Sequence, residues 1–271
     1  MNSPPSPVAT SGEVGCSPVA LIPRRAAHSD PRDRHRARGL TVYPDWPRAA
    51  LFDLDGTLID SVPDITLAVA ELMATEDLAP FEEADVRAMV GHGLRVLVRR
   101  ALAARGRTPD PAEFEAIIDR MLEIYPRHLT GRTTLLPGVV DCLDTLAAAD
   151  CAVALVTNKL QSAATIVLDH FGLSDRFTII LGDQEGLSDL APKPEPDMLL
   201  HALSHVDVEP AHAVMVGDSE ADMASARAAG VFSVAVRGGY CNGPLEDLEP
   251  DVVIDSLYGF AEAVEAWRRH G

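Results

Sequence analysis

Ala49-Ala50-Leu51-Phe52-Asp53-Leu54-Asp55-Gly56-Thr57-Leu58 is a short apolar run that ends in two aspartates one residue apart. Side chains alternate along a strand, so Asp53 and Asp55 share a face if the strand continues through them. If it stops at Asp53 and Gly56 turns the chain, both carboxylates sit at the strand's carboxyl end, where open α/β sheets place their ligands. Two carboxylates this close repel when both are ionised, so the pair needs a cation, a shared proton or abundant water. A hard divalent cation such as Mg²⁺ meets that need most simply. Asp-Gly-Thr is also ordinary turn chemistry, so the stretch alone leaves a surface turn open.

Downstream, the pattern is helical for roughly 70 residues. Pro63 suits a first helical turn, and Ile65, Val69, Leu72 and Met73 recur on one face. Further helices are predicted over 82–90, 93–105 and 111–128, separated by Gly91, Gly93, Gly106 and Pro109. This block reads as a small α-helical domain, 63–134, inserted after the first strand. From Pro137 strands and helices alternate: helix 139–149, strand 152–156, helix 161–170, strand 177–180, helix 196–204, strand 213–216, helix 220–229, strand 232–235, a short strand near Val252 and helix 256–268. Apolar strands alternating with helices predict an α/β, Rossmann-like core of 46–62 and 135–271, its parallel sheet covered on both faces.

The first 45 residues differ: they are rich in Pro, Ser and Ala, and their six arginines outnumber their acidic residues. No periodicity survives there, which predicts a disordered extension or leader. Arg-rich, acid-poor leaders can also be organelle transit peptides. The whole chain of 271 residues carries a formal charge of -18, which argues against a nucleic-acid partner. No apolar run has transmembrane length, so no membrane partner is expected. The four cysteines lack CxxC spacing, which fits a reducing, cytoplasmic setting better than a zinc site or a disulfide framework. The oligomeric expectation is a monomer or homodimer.

In a parallel sheet the carboxyl ends of the strands open on one rim, so the residues just after each apolar run should converge. After 152–156 come Thr157 and Asn158, a hydroxyl and backbone amides able to bind a phosphate oxygen or, alternatively, to cap a helix. After 177–181 the loop reaches Lys193 between Pro192 and Pro194, which stiffen its backbone; an exposed loop lysine is the other reading. After 213–216 come Asp218 and, one helical turn on, Asp222. These acids suggest a metal site with Asp218 the best ligand candidate, although Asp218 could merely cap the next helix. A nucleophilic carboxylate, a second acid, a hydroxyl with amides, a lysine and a metal together suit phosphoryl transfer, where positioning and charge neutralisation do most of the catalysis.

Asp53-Leu-Asp55-Gly-Thr57, Val156-Thr157-Asn158, Lys193-Pro-Glu-Pro and Gly217-Asp218-Ser-Glu-Ala-Asp222, in this order, resemble the four motifs of the haloacid dehalogenase-like hydrolases. The resemblance covers 48–271. It implies Asp53 as nucleophile forming an aspartyl-phosphate and Asp55 as the acid and base. It implies Mg²⁺ held by the Asp53 carboxylate, the Asp55 carbonyl and Asp218, with Asp222 as ligand or support, and Thr157, Asn158 and Lys193 on the phosphoryl oxygens. The acid at position 55 favours a phosphatase over a dehalogenase, because a halide leaving group needs no proton. The insert lies where that family carries a helical cap. Val90-Gly91-His92-Gly93-Leu94-Arg95, Thr157-Asn158-Lys159 and Thr134-Leu-Leu-Pro137-Gly138-Val139 most resemble phosphoglycolate phosphatases. Under that resemblance His92 or Arg95 would meet the carboxylate of a small acid substrate. The substrate expected is therefore a small phosphate ester, 2-phosphoglycolate first. A sugar phosphate, pyrophosphate or nucleotide, a phosphomutase of the same fold, and a non-catalytic metabolite-binding protein are the alternatives.

Overall fold

The computed structural model describes residues 46–184 and 189–269. The expected leader, 1–45, lies outside the described residues.

Six parallel strands form the main sheet: β1 Ala49–Phe52, β4 Ala152–Leu160, β5 Ile179–Asp183, β6 Ala213–Gly217, β7 Phe232–Val236 and β8 Val252–Ile254, in the order β5-β4-β1-β6-β7-β8. β1 lies between β4 and β6, paired in register Phe52 to Leu155 and Phe52 to Val216. The chain winds outward from β1 in one direction to β5, then crosses to β6 and winds the other way. The order therefore reverses at β1, the kind of position where open α/β sheets bind ligands. All four β1 residues are buried, because both faces of the sheet are covered. Ala50 and Phe52 join one core cluster, with α5 Val139–Ala148, α6 Gln161–His170 and α9 Phe260–Arg268. Ala49 and Leu51 join the opposite cluster, with α7 Asp197–Val206 and α8 Glu220–Ala229. Trp46 packs against Phe260 with ring centroids 6.2 Å apart.

The helical insert holds α1 Val62–Thr75, α2 Glu83–Arg87, α3 Leu94–Ala104 and α4 Pro111–Ile124. α1 buries Ile65, Val69, Leu72 and Met73, the stripe its sequence period predicts. α4 starts where Asp110 accepts the Glu113 amide at 2.9 Å and Pro111 occupies the first turn, where its missing N–H costs nothing.

Several boundaries differ from the sequence reading. The helix expected over 82–90 is only Glu83–Arg87, because the chain must turn through Gly91 and Gly93, both at positive φ. The helix expected to reach 128 stops at Ile124 and tightens into a 3-10 turn, Tyr125–Arg127, at Pro126. The strand expected at 177–180 runs instead over Ile179–Asp183, because the ladder with β4 begins only at Ala154 and Ile179. Thr157 and Asn158 do not follow β4 but lie within its extended run, which shifts register between Val156 and Leu160.

A feature the sequence period did not signal closes the insert. β2 Ile59–Asp60 and β3 Thr134–Leu135 pair antiparallel, bringing the insert's exit and return together. The buried Asp64 carboxylate reinforces them, accepting the Arg132 amide, the Thr133 amide at 2.8 Å and the Thr133 hydroxyl at 2.8 Å. Burial pushes its carboxyl up, but these hydrogen bonds outweigh that and leave it below the usual range. The stability it supplies is therefore present above the ordinary carboxylate range and is lost as pH falls through the lowered value. Asp64→Ala strands these donors and should lower unfolding stability by about 2–3 kcal/mol at pH 7. Urea unfolding measures it, and the deficit should shrink as the pH falls below the ordinary carboxylate range.

Candidate active site

The end of β1 delivers Asp53, whose amide donates to the Val216 carbonyl of β6 at 3.0 Å and so fixes the nucleophile candidate between two strands. Leu54 to Ile59 then form a tight turn: the Ile59 amide returns to the Leu54 carbonyl at 3.1 Å, and Gly56 adopts φ +90°. A Cβ on Gly56 would stand 2.4 Å from Asp218 Oδ2, so glycine is required both for the turn and for the close approach of Asp218.

Lys193 sits beneath these carboxylates with its side chain 2% exposed. Its Nζ donates to Asp53 Oδ1 at 2.8 Å, Asp222 Oδ1 at 2.6 Å and the Val156 carbonyl at 2.7 Å. Burial alone would lower the ammonium's pKa, but the charges of Asp222 and Asp53 more than reverse this, and it stays protonated. Asn158 holds the Lys193 backbone at both ends, its Oδ1 accepting the amide at 3.0 Å and its Nδ2 donating to the carbonyl at 2.9 Å. The Asn158 side chain thus positions the lysine. Thr157 is buried at the same rim.

Asp218 and Asp222 come from the end of β6 and the first turn of α8. Asp222 Oδ2 accepts the Ser219 amide at 3.0 Å and hydroxyl at 2.6 Å, a capping box that starts the helix and leaves Oδ1 for Lys193. Asp218 accepts Thr57 Oγ1 at 3.2 Å and the Tyr240 amide at 2.6 Å. Asp55 receives the Ser61 hydroxyl at 2.5 Å and Lys159 Nζ at 3.0 Å on both carboxylate oxygens.

Charge is unbalanced here. Asp53, Asp218 and Asp222 bring oxygens within 4.8 Å of one another, all buried, and Lys193 is the cation bonded among them. Burial, with repulsion from Asp222 and Asp55 and against the pull of Lys193, pushes the Asp53 carboxyl up to about 6. Burial and the charges of Asp222 and Asp53 hold the Asp218 carboxyl well above its ordinary value. Excess negative charge on hard oxygen donors fits a divalent cation, with Asp53 and Asp218 the available carboxylates and Asp222 committed to Lys193 and Ser219.

The structure thus brings Asp53, Asp55, Thr157, Asn158, Lys193, Asp218 and Asp222 to one rim. It does not bring His92 or Arg95 among the residues that line the adjoining cavity. Arg95 forms a bidentate pair with Glu115 and lies over the Phe114 ring, and His92 contacts Arg100. Residues that the sequence reading left without a role are Thr57, Ser61, Tyr125, Lys159 and Tyr240. Lys159 follows two polar residues and lies beyond the strand predicted at 152–156, so nothing local marked it as buried.

Removing the Lys193 charge leaves Asp53 and Asp222 facing each other uncompensated. Lys193→Met should cost about 3–5 kcal/mol at pH 7.5. The loss should be smaller at pH 5, below the raised value of Asp53, where protons replace the missing cation. Chemical unfolding at the two pH values measures both numbers.

A family model described as haloacid dehalogenase-like hydrolase matches residues 50–236. The phosphoglycolate phosphatase of Caulobacter vibrioides is 38% identical over 214 residues, 78% of this chain and 88% of its own length. Phosphoglycolate phosphatase 1 of Pseudomonas aeruginosa is 40% identical over 216 residues, 78% of this chain and 77% of its own. A crystal structure described as a predicted phosphoglycolate phosphatase from Haemophilus somnus has a TM-score of 0.74 at 28% identity, covering 81% of this chain and 98% of that one.

Proposed function

Since the chain belongs to the haloacid dehalogenase-like hydrolase family, we propose that it is a phosphatase that hydrolyses 2-phosphoglycolate to glycolate and phosphate through a phosphorylated Asp53. The observation that carries this reading is that two carboxylates two residues apart line one cavity, each with its own lysine: Lys193 donates to Asp53 and Lys159 to Asp55.

In the proposed course Asp53 Oδ attacks phosphorus, the ester bond breaks, and Asp55 gives a proton to the departing alkoxide. Asp55 then takes a proton from the water that attacks phosphorus, and phosphate leaves with Asp53 restored. Lys193, Thr157 and the Asn158 backbone amide hold the phosphoryl oxygens as charge shifts among them. Mg²⁺, held by Asp53, the Asp55 carbonyl and Asp218 with Asp222 in support, would neutralise phosphoryl charge. The insert, 63–134, acts as a cap whose α3 approach, Val90 to Leu94, walls the cavity and excludes water. Asp55 separates this course from halide displacement. No helix among the described residues is long and apolar enough to cross a membrane.

Phosphate release should be fastest from 2-phosphoglycolate in a panel with phosphoserine, glycerol phosphate, hexose phosphates, pyrophosphate and nucleotides, and a chelator should stop it. Preference for a hexose phosphate, or isomer formation without free phosphate, would replace this substrate with another. Asp53→Asn should reduce kcat by at least ~10³ with the fold intact by circular dichroism.

Burial raises the Asp53 carboxyl above its unfolded value, so folding is penalised as pH rises through about 6, and a cation relieves a penalty absent in acid. Mg²⁺ should therefore raise the Tm more at pH 7.5 than at pH 5, and Asp218→Asn should remove the difference.

A further inference from the structure

The proposed chemistry accounts for the phosphoryl end of the substrate and leaves its distal end without a partner. A carboxylate drawn into a cavity loses hydration, and only a cation or several donors restore what it loses. The cavity beside Asp53 and Asp55 is lined by Ile65, Val90, Leu94 and Leu97 on its apolar side, and by Tyr125, Thr157, Asn158 and Lys159 on its polar side. Lys159 is the one cationic side chain among the described lining residues.

Its position is specific. The Lys159 ammonium, with its side chain 2% exposed, donates to both oxygens of Asp55 at 3.0 Å and to Tyr125 Oη at 2.7 Å. Lys159 comes from β4, Asp55 from the turn after β1 and Tyr125 from the insert, so the group spans the seam where a substrate is enclosed. Burial opposes its charge, but Asp55 and the Tyr125 hydroxyl hold the ammonium protonated. At the opposite wall α3 begins at Gly93 with no side-chain cap and no acid in its first turn, and Gly93 and Leu94 line the same space. The residues expected for this task are engaged elsewhere. Arg95 is paired with Glu115, and burial together with the Arg100 charge lowers the His92 pKa, so the ring is neutral near pH 7.

Reach agrees with charge. Asp55 meets the leaving oxygen, and in 2-phosphoglycolate the carboxylate is one methylene away from that oxygen. A group 3.0 Å from Asp55 is therefore within reach of that carboxylate.

We propose that Lys159, with the Tyr125 hydroxyl, forms the carboxylate subsite of this enzyme and sets its preference for phosphate esters of short hydroxy acids. The inference rests on the phosphoglycolate reading above. On binding, the substrate carboxylate takes up the Lys159 ammonium now shared with Asp55, and Tyr125 turns its hydroxyl proton toward the same anion. Esters of neutral alcohols lack this interaction and are bound only through the phosphoryl group.

The test compares kcat/KM for 2-phosphoglycolate with that for ethyl phosphate, which has the same reach and no carboxylate. Wild type should favour phosphoglycolate strongly, and Lys159→Met should reduce that ratio roughly 10- to 100-fold, the worth of a charge-assisted hydrogen bond. Lys159→Arg should keep much of the ratio, and Tyr125→Phe should lower it less than Lys159→Met. A lysine that merely holds Asp55 would slow both esters alike, so an unchanged ratio in Lys159→Met overturns the proposal. If that variant does not fold, Lys159→Gln, which removes the charge and keeps a polar side chain, is read the same way. A wild-type ratio near one removes the phosphoglycolate reading itself. A large wild-type ratio that survives every Lys159 substitution removes only this subsite.

Discussion

The ammonium of Lys193 lies between Asp53 and Asp222 in a buried space that Asp218 also enters. Burying charge costs several kcal/mol per ion, and one cation among three carboxylates does not return it. The neighbouring architecture serves to keep that arrangement in place. Asn158 fixes the Lys193 backbone from both sides, Ser219 holds the far oxygen of Asp222, and Thr57 and the Tyr240 amide hold Asp218. Every buried side-chain nitrogen and oxygen among the described residues has a partner, so the site carries its imbalance as charge and not as unmade hydrogen bonds. That residual negative charge on hard oxygen donors suits a divalent cation.

The fold supplies the convergence. Because the strand order reverses at β1, the ends of β4 and β6 flank it, and three segments distant in sequence meet within hydrogen-bonding distance. The spacing tolerates no bulk: a Cβ at Gly239 would stand 2.3 Å from Asp218 Oδ2, and one at Gly217 would stand 2.3 Å from Asp222 Cγ. The insert enters and leaves through the β2–β3 pair, a few residues from Asp55. Tyr240 links the two regions: its amide holds Asp218, its hydroxyl meets Asp60 at 3.0 Å, and Arg87 of the insert lies over its ring. The acidic end of the rim and the root of the helical insert are thus joined through one residue.

The strand-end carboxylates were legible because an apolar run followed by a polar residue carries its own address in a parallel sheet. Asp53 and Asp218 follow that rule, and the alternation of strands and helices gave the layers; Lys193, in a loop ten positions past the end of β5, was placed by the family resemblance. Lys159 was not legible in the same way, since its partner Asp55 is 104 positions distant and no local period links them. Tyr240 grips Asp218 through its backbone amide, a donor almost any residue has, so no side-chain signal existed. The Asn158 backbone amide was the expected phosphate donor, and the second task of this residue, the grip of its side chain on Lys193, was not signalled, because β4 stays extended past Val156 and turns that side chain toward the loop. Arg95 matched in type and spacing, but Glu115 on the neighbouring helix competes for it.

The central claim is that Asp53 itself takes the phosphoryl group. The stereochemical course at phosphorus tests it most directly, using a substrate ester made chiral with oxygen isotopes and turned over in isotopically distinct water. Two successive in-line displacements, first by Asp53 and then by water, predict retention of configuration in the released phosphate. Inversion would mean a single attack by water and would contradict the account, leaving Asp53 at most a metal-binding or base residue.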